Sequence, residues 1–236
     1  ILRFNMFEGQ WRPKQAIQFE GIGPVPPLGG GVTSLTFVGA MTADSSDCNL
    51  PITAIVGDLA IMFDVAVSFG GIPTLVTPSG WTLATPSTTF DGTLDTRIAI
   101  SYRVLTSGEI SSPEKEGMSG DGMFKIILVF RPNSPISTVT PGSWNSATVT
   151  GNPTSQTVTA SGQPVPLVVF GMAGSGGGGA NFSTESPSFD DIIEVDDEYL
   201  IAGYKIYNST PANHTVDMDD LFFYSNSLSS GYIRVS

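Results

Sequence analysis

The sequence has very few of the residues that crosslink a chain or bind zinc. It contains one cysteine, Cys48, and one histidine, His214, in 236 residues. A single chain therefore forms no internal disulfide and assembles no Cys/His zinc cluster. Cys48 is predicted to be a buried or semi-buried free thiol, which suits assembly in a reducing cytoplasm.

Positive charge and long apolar runs are also scarce. Ten Lys and Arg residues stand against 22 Asp and Glu, giving a net charge of −12 and a pI near 4.2. A protein this acidic repels polyanions, so we expect no nucleic-acid partner. No apolar run approaches the roughly 18 residues of a membrane-spanning helix, so no membrane insertion is expected either.

Turn-forming residues are abundant. The chain contains 27 Gly and 17 Pro, and 40% of its residues are hydrophobic. Enough apolar surface is therefore available for a core, and the frequent turns favour many short strands over helices.

Strand periodicity supports this interpretation. Ile98, Ile100, Tyr102 and Val104 alternate with other residues in the period of two that is typical of a half-buried strand. Residues 59–67, 124–130 and 200–206 alternate in the same way, and Asp64 falls on the reverse face of its strand. About ten strands with short connections predict an all-β fold, an antiparallel β-sandwich that is jelly-roll-like.

The first part of the chain differs from the rest. Residues 1–32 mix aromatic and charged residues and then become rich in Gly and Pro. We predict an extended N-terminal arm and hinge there, followed by the sandwich over residues 33–236. An arm cannot bury its own apolar groups, so it is expected to pack on a neighbouring subunit or on the sandwich. The assembly residues would be Phe4, Phe7, Trp11 and Phe19; an ordinary edge strand plus loop is the other interpretation.

Catalytic motifs are not evident. His214 is the sole candidate base for a Ser or Cys nucleophile, and no Gly-x-Ser-x-Gly motif accompanies it. The glycine-rich residues 171–176 precede no helical segment that would bind a phosphate. We therefore predict no catalytic and no cofactor-binding residues.

Acidic residues are concentrated late in the chain and permit two further interpretations. Loop carboxylates are suitable calcium ligands, and the candidates are Asp190, Asp191, Asp196, Asp217 and Asp219. Without an EF-hand spacing, a solvated acidic loop is the simpler interpretation. A carboxylate pair for glycoside hydrolysis, near Asp190 or Asp217, is the second of these interpretations.

Two of the three tryptophans have contrasting predicted roles. Trp81 follows Pro78, Ser79 and Gly80 at the mouth of a strand, where a large aromatic side chain usually closes the end of a core. Trp144 is the better candidate for an exposed contact with a sugar ring.

The order of several short segments is informative. Residues 57–61 read Gly-Asp-Leu-Ala-Ile, residues 78–82 read Pro-Ser-Gly-Trp-Thr, residues 101–104 read Ser-Tyr-Arg-Val with Gly108 and Glu109 after them, and residues 129–131 read Val-Phe-Arg. This order resembles a β-sandwich domain found in virion proteins of tailed bacteriophages, over about residues 52–207. The resemblance implies a structural and adhesive module without catalytic residues.

The leading hypothesis is therefore a non-enzymatic phage virion structural protein, either a head-decoration or head-fibre protein or a tail-associated one. Its partners would be copies of itself and other virion proteins, and its place the virion surface. The alternative is a carbohydrate- or receptor-binding module that contacts a host-surface glycan through Trp144. A polysaccharide hydrolase is the third hypothesis.

Overall fold

The structure is a computed structural model of the full chain. It describes residues 4–7, 10–13, 31–44, 47–75, 77–84, 88–90, 95–110, 114–115, 118–149, 154–175, 179–195, 199–220 and 226–236. Its strands are β1 (Phe4–Phe7), β2 (Gln10–Pro13), β3 (Leu35–Ala43), β4 (Asp47–Cys48), β5 (Leu59–Ser68), β6 (Thr74–Leu75), β7 (Thr82–Leu83), β8 (Thr88–Phe90), β9 (Asp95–Val104), β10 (Glu114–Lys115), β11 (Met118–Ser119), β12 (Gly122–Pro132), β13 (Val139–Pro141), β14 (Asn145–Val149), β15 (Thr154–Val158), β16 (Leu167–Ser175), β17 (Ala180–Ser186), β18 (Asp191–Val195), β19 (Leu200–Tyr207), β20 (His214–Asp220) and β21 (Asn226–Val235).

Three sheets account for most of these strands. The front sheet has the order β3-β12-β5-β9-β7, and β8 also pairs with β9. The back sheet has the order β13-β21-β16-β19-β18, and β14 also pairs with β21. The outer sheet is β15-β20-β17. Every described pairing is antiparallel, so the predicted all-β antiparallel sandwich is confirmed. The jelly-roll connectivity stays a prediction.

The main core lies between the front and back sheets. Alternate residues of β5, β9 and β12 face alternate residues of β16, β19 and β21, which is the arrangement that the period of two predicts. Phe63 and Phe170 meet edge to face across this core, with ring centroids 5.7 Å apart. Phe37 closes one side by stacking on Tyr204 at 4.7 Å.

The front sheet is also buried on its reverse face. Cys48, Ala54 and Trp81 cover Met62 and Ile127 there, in a second apolar cluster. Cys48 is 1% exposed, so its predicted burial is confirmed. Polar groups on this face are buried as well, and Asp64 of β5 lies opposite Lys125 of β12. The alternation placed Asp64 correctly on the reverse face but did not predict that loops cover it.

The outer sheet covers the reverse face of the back sheet in the same way. Phe182 of β17 and Val216 of β20 pack with Ala173 and Leu228 of the back sheet. Val158 of β15 belongs to a neighbouring cluster. The central strand β16 is therefore buried along its whole length.

The chain divides into two compact units, residues 1–30 and residues 31–236. In the first unit, β1 and β2 form a hairpin in which Phe4 is paired with Pro13 and Phe7 with Gln10. Among the residues that the structure describes, no helix is long and apolar enough to cross a membrane.

Candidate functional site

The late acidic residues make local contacts. Asp190 accepts hydrogen bonds from Lys205 Nζ at 2.6 Å and from the backbone N–H of Ile206 at 2.9 Å. Asp217 accepts a hydrogen bond from Thr184 Oγ1, and hydrogen bonds from Ser155 and Thr184 lower its pKa.

The remaining calcium candidates are Asp191, Asp196 and Asp219. Asp191 is exposed on β18, Asp219 lies on β20 paired with Asn181, and Asp196 is outside the described residues. In the described part of the chain, no group of three or more His, Cys, Asp or Glu side chains could hold a metal ion. The calcium site stays a prediction.

His214 is enclosed between the outer and back sheets. Its side chain is fully buried and stacks on Phe189 with ring centroids 4.5 Å apart. Neither ring nitrogen has a hydrogen-bond partner among the residues that the structure describes. Desolvation, with a smaller contribution from Lys205, lowers the pKa of His214 to about 4, so the ring is neutral at pH 7. This geometry suits a packing role, because a general base needs access to the proton it removes.

The motif residues that carry the phage resemblance meet at one corner of the front sheet. Asp58 precedes β5 and is 1% exposed. Its carboxylate accepts hydrogen bonds from Arg131 Nε at 3.0 Å and Nη2 at 2.9 Å, and from the backbone N–H of Ile55 at 2.9 Å. Arg131 also donates to the carbonyl of Thr53 at 2.8 Å. These bonds fix the loop of residues 51–58 against the sheet.

The second half of the motif lies beside this corner. The Arg103 guanidinium is 5.7 Å from the Trp81 ring centroid and forms an ion pair with Glu109. Burial raises the pKa of Glu109, but hydrogen bonds from Thr106 and the charge of Arg103 outweigh it and give a net lowering. Gly80 makes room for the guanidinium, because a Cβ there would lie 2.5 Å from Arg103 Nη2. The motif residues therefore form a structural corner, and Trp81 is buried as predicted, on the reverse face of the sheet.

Trp144 is less exposed than a sugar-stacking residue should be. Its ring packs on Phe170 at 4.6 Å, and a Cβ on Gly231 would lie only 2.7 Å from it. One edge still lines a groove of about 500 Å³ together with neutral side chains of β14 and β15, among them Asn145, Ser155 and Thr157. The ring is therefore half-buried at the margin of the core. Its indole nitrogen is buried and has no hydrogen-bond partner in the described part of the chain.

The predicted arm residues lie in the first unit. Phe4 and Phe7 are on β1 and Trp11 is on β2. Phe19 lies outside the described residues.

The edge of β3 is a surface that the sequence reasoning missed. β3 pairs with β12 on one side, and no described strand pairs with its other edge. All nine residues from Leu35 to Ala43 are uncharged. Natural sheet edges are usually protected by charges or proline, because an open edge can pair with another chain. In contrast, β18, the nearby edge of the back sheet, carries the exposed residues Asp191 and Glu194.

Exposed apolar residues lie next to the β3 edge. Thr53 Oγ1 donates a hydrogen bond to the carbonyl of Val38 at 3.1 Å, which brings the loop of residues 51–58 against this strand. Ile52 in that loop is completely exposed, and Ile55 and Val56 are at least half exposed. A groove of about 500 Å³ lies between loop and strand, lined by Phe37, Val38, Thr53 and Arg131 among others. We call the β3 edge, residues 52–56 and this groove the β3 surface.

The two ends of the β3 surface differ. At one end, Asn133 Oδ1 accepts hydrogen bonds from the backbone N–H groups of Thr33 at 2.9 Å and Ser34 at 3.1 Å, where the chain enters the strand. At the other end, Asp44 and Glu194 line a cleft of about 280 Å³ between β3 and β18. The sequence did carry a signal for this surface, since no residue from 21 to 43 is charged.

Comparisons with protein-family models, curated proteins and solved structures find no significant match to this chain.

Proposed function

We propose that this chain is a non-enzymatic structural protein of a tailed-phage particle, either a capsid-decoration or head-fibre protein or a tail-associated one. Its N-terminal arm anchors it to neighbouring subunits, and the sandwich is displayed outward at the virion surface. The observation that carries this proposal is the β3 surface, which is uncharged at its strand and apolar at its loop in a chain of net charge −12. A soluble monomer has no evident use for such a surface, whereas an assembly subunit requires one.

The charge distribution supports the same proposal. Four of the cations in residues 31–236 are bound to carboxylates of the same chain, in the pairs Arg103–Glu109, Lys125–Asp64, Arg131–Asp58 and Lys205–Asp190. Most of the remaining carboxylates thus have no cation of this unit to neutralise them. An acidic surface of this kind suits the outside of a particle, away from packaged DNA.

The experiment is incorporation into particles after deletion of residues 1–31. We expect the truncated protein to retain the circular dichroism spectrum of a β-sheet protein and to be lost from purified particles. A truncated protein that folds and is incorporated normally would contradict the anchoring role of the arm.

A second candidate function is binding of a neutral glycan in the groove beside Trp144. The groove favours it because its lining includes hydroxyl and amide groups and no charged residue. Trp144→Ala would remove core packing as well, so Ser146→Arg, a change at an exposed residue of the groove lining, is the sharper test. We expect this variant to lose glycan-array binding while keeping its stability; no binding by the unchanged protein would rule this function out.

A further inference from the structure

We propose that the β3 surface of one copy binds the N-terminal segment, residues 1–20, of a second copy, which adds along the open edge of β3. This inference rests on the proposed function and names the partner of the same surface.

The edge has the backbone and side-chain properties that strand addition requires. An added strand forms main-chain hydrogen bonds along a free edge and places alternate side chains in neighbouring pockets. β3 contains nine residues without charge or proline, and the groove with Phe37 and Val38 lies beside it. The Asn208 side chain bonds the backbone N–H and carbonyl of Leu35, and Thr53 bonds the carbonyl of Val38, so the added strand would pair with the part of β3 that follows Val38. The N-terminal segment already contains two short extended stretches, β1 and β2.

Charge selects the N-terminal segment over other strands. Residues 1–20 contain three basic residues, Arg3, Arg12 and Lys14, and two acidic ones, Glu8 and Glu20. The whole chain has 10 basic and 22 acidic residues, so the remaining residues hold 7 basic and 20 acidic ones, a net charge of −13. The N-terminal segment, with a net charge of +1, is therefore the basic part of an otherwise acidic chain.

The acidic end of the β3 surface matches this charge. Asp44 and Glu194 stand at the cleft between β3 and β18, where arginine or lysine side chains of an added strand would be favoured. Pairing between the β3 strands of two copies offers no such complementarity. A parallel arrangement would bring the Asp44 residues of the two copies together, and an antiparallel one would place Asp44 beside the uncharged end of β3 near Leu35.

The connection is long enough to reach a neighbour. Residues 21–31 form an uncharged stretch with five Gly and three Pro. Eleven extended residues span up to about 36 Å, whereas a sheet of five strands is only about 24 Å wide. The connection is therefore long enough for the N-terminal segment of one copy to reach a second copy.

The test uses two charge-reversed forms of the full chain. The edge variant carries Asp44→Lys and Glu194→Lys, and the arm variant carries Arg3→Glu and Arg12→Glu. Sedimentation velocity should show self-association of the unchanged chain and at least about tenfold weaker association of each variant alone. An equimolar mixture should associate again, because the unchanged arm of one variant finds the unchanged edge of the other. Ser183→Lys, an exposed change on β17, should associate like the unchanged chain.

The mixture separates the possible outcomes. A monomeric unchanged chain, variants that associate as the unchanged chain does, or a mixture that stays monomeric would each overturn the proposal; the first result is the one expected if the segment docks within its own chain. If the protein is nevertheless found in particles, the assignment of this surface fails while the proposed function stands. If the mixture associates but particles lack the protein, the assignment of this surface stands while the proposed function fails.

Discussion

Replacement of His214 by Phe should remove a large part of the protein's sensitivity to mild acid. The imidazole is fully buried between the outer and back sheets, with Phe189 against its face. The charges that act on it are those of the paired side chains of Lys205 and Asp190. Lys205 opposes protonation and Asp190 favours it, but desolvation is the largest influence on the pKa.

The loss of folding stability at low pH follows from the pKa values of His214 in the unfolded and folded states. His214 titrates near its ordinary 6.5 when the chain is unfolded and at about 4 in the folded protein. The unfolded chain therefore binds the proton first as the pH falls, so stability decreases between pH 6.5 and 4 and does not recover below that range. The full difference between the two pKa values corresponds to about 3 kcal/mol of folding stability. About 2.5 kcal/mol of this stability is lost by pH 4.5.

Urea unfolding at pH 7.0, 5.5 and 4.5 measures this contribution. Between pH 7.0 and 4.5 the free energy of unfolding of the unchanged protein should fall by about 2.5 kcal/mol more than that of His214→Phe. Glu109 and Asp217, whose pKa values are lowered, lose their contributions mainly below this window, as the pH falls through their folded values. If the free energy of unfolding of the two proteins depends equally on pH, the interpretation that His214 is buried and neutral is wrong.

Three further predictions concern packing and charge. Lys125→Met should lower the free energy of unfolding by about 3–5 kcal/mol, because it removes one charge of the buried Lys125–Asp64 ion pair and keeps the other; denaturant curves should show most of this loss recovered in the double variant with Asp64→Leu. Gly174→Ala should cost about 1–3 kcal/mol, because the new methyl group would lie 2.5 Å from a side chain of the facing sheet; a melting temperature equal to that of the unchanged protein would contradict this. Arg131→Met should expose residues 52–57 to limited proteolysis, since it removes the bidentate partner of Asp58; unchanged cleavage rates would show that the loop is held by other contacts.

The strands were the most predictable part of this fold. Alternation over residues 98–104 or 59–67 reflects local pleating and one buried face, which a sequence displays directly. The prediction failed to anticipate that the reverse faces are also buried, by loops on the front sheet and by the outer sheet on the back sheet. Such covering depends on contacts between distant segments, and Asp64 gave no local sign of its burial.

The candidate site was less predictable for the same reason. An edge strand is defined by the neighbour it lacks, and strand order cannot be read from hydrophobic periodicity. The uncharged residues 21–43 were a usable signal, but the pattern needs the position of β3 in the sheet before it indicates a surface. For Trp144 the sequence indicated more exposure than the structure shows. Its segment suggested an exposed aromatic residue, but its ring packs on Phe170 and against Gly231 at the margin of the core.

Quantitative mass spectrometry of purified phage particles from the source culture tests the central proposal most directly. The account predicts this protein among the structural components, in a copy number set by the symmetry of the shell or tail. Its absence from particles that contain the other structural proteins would contradict the proposal.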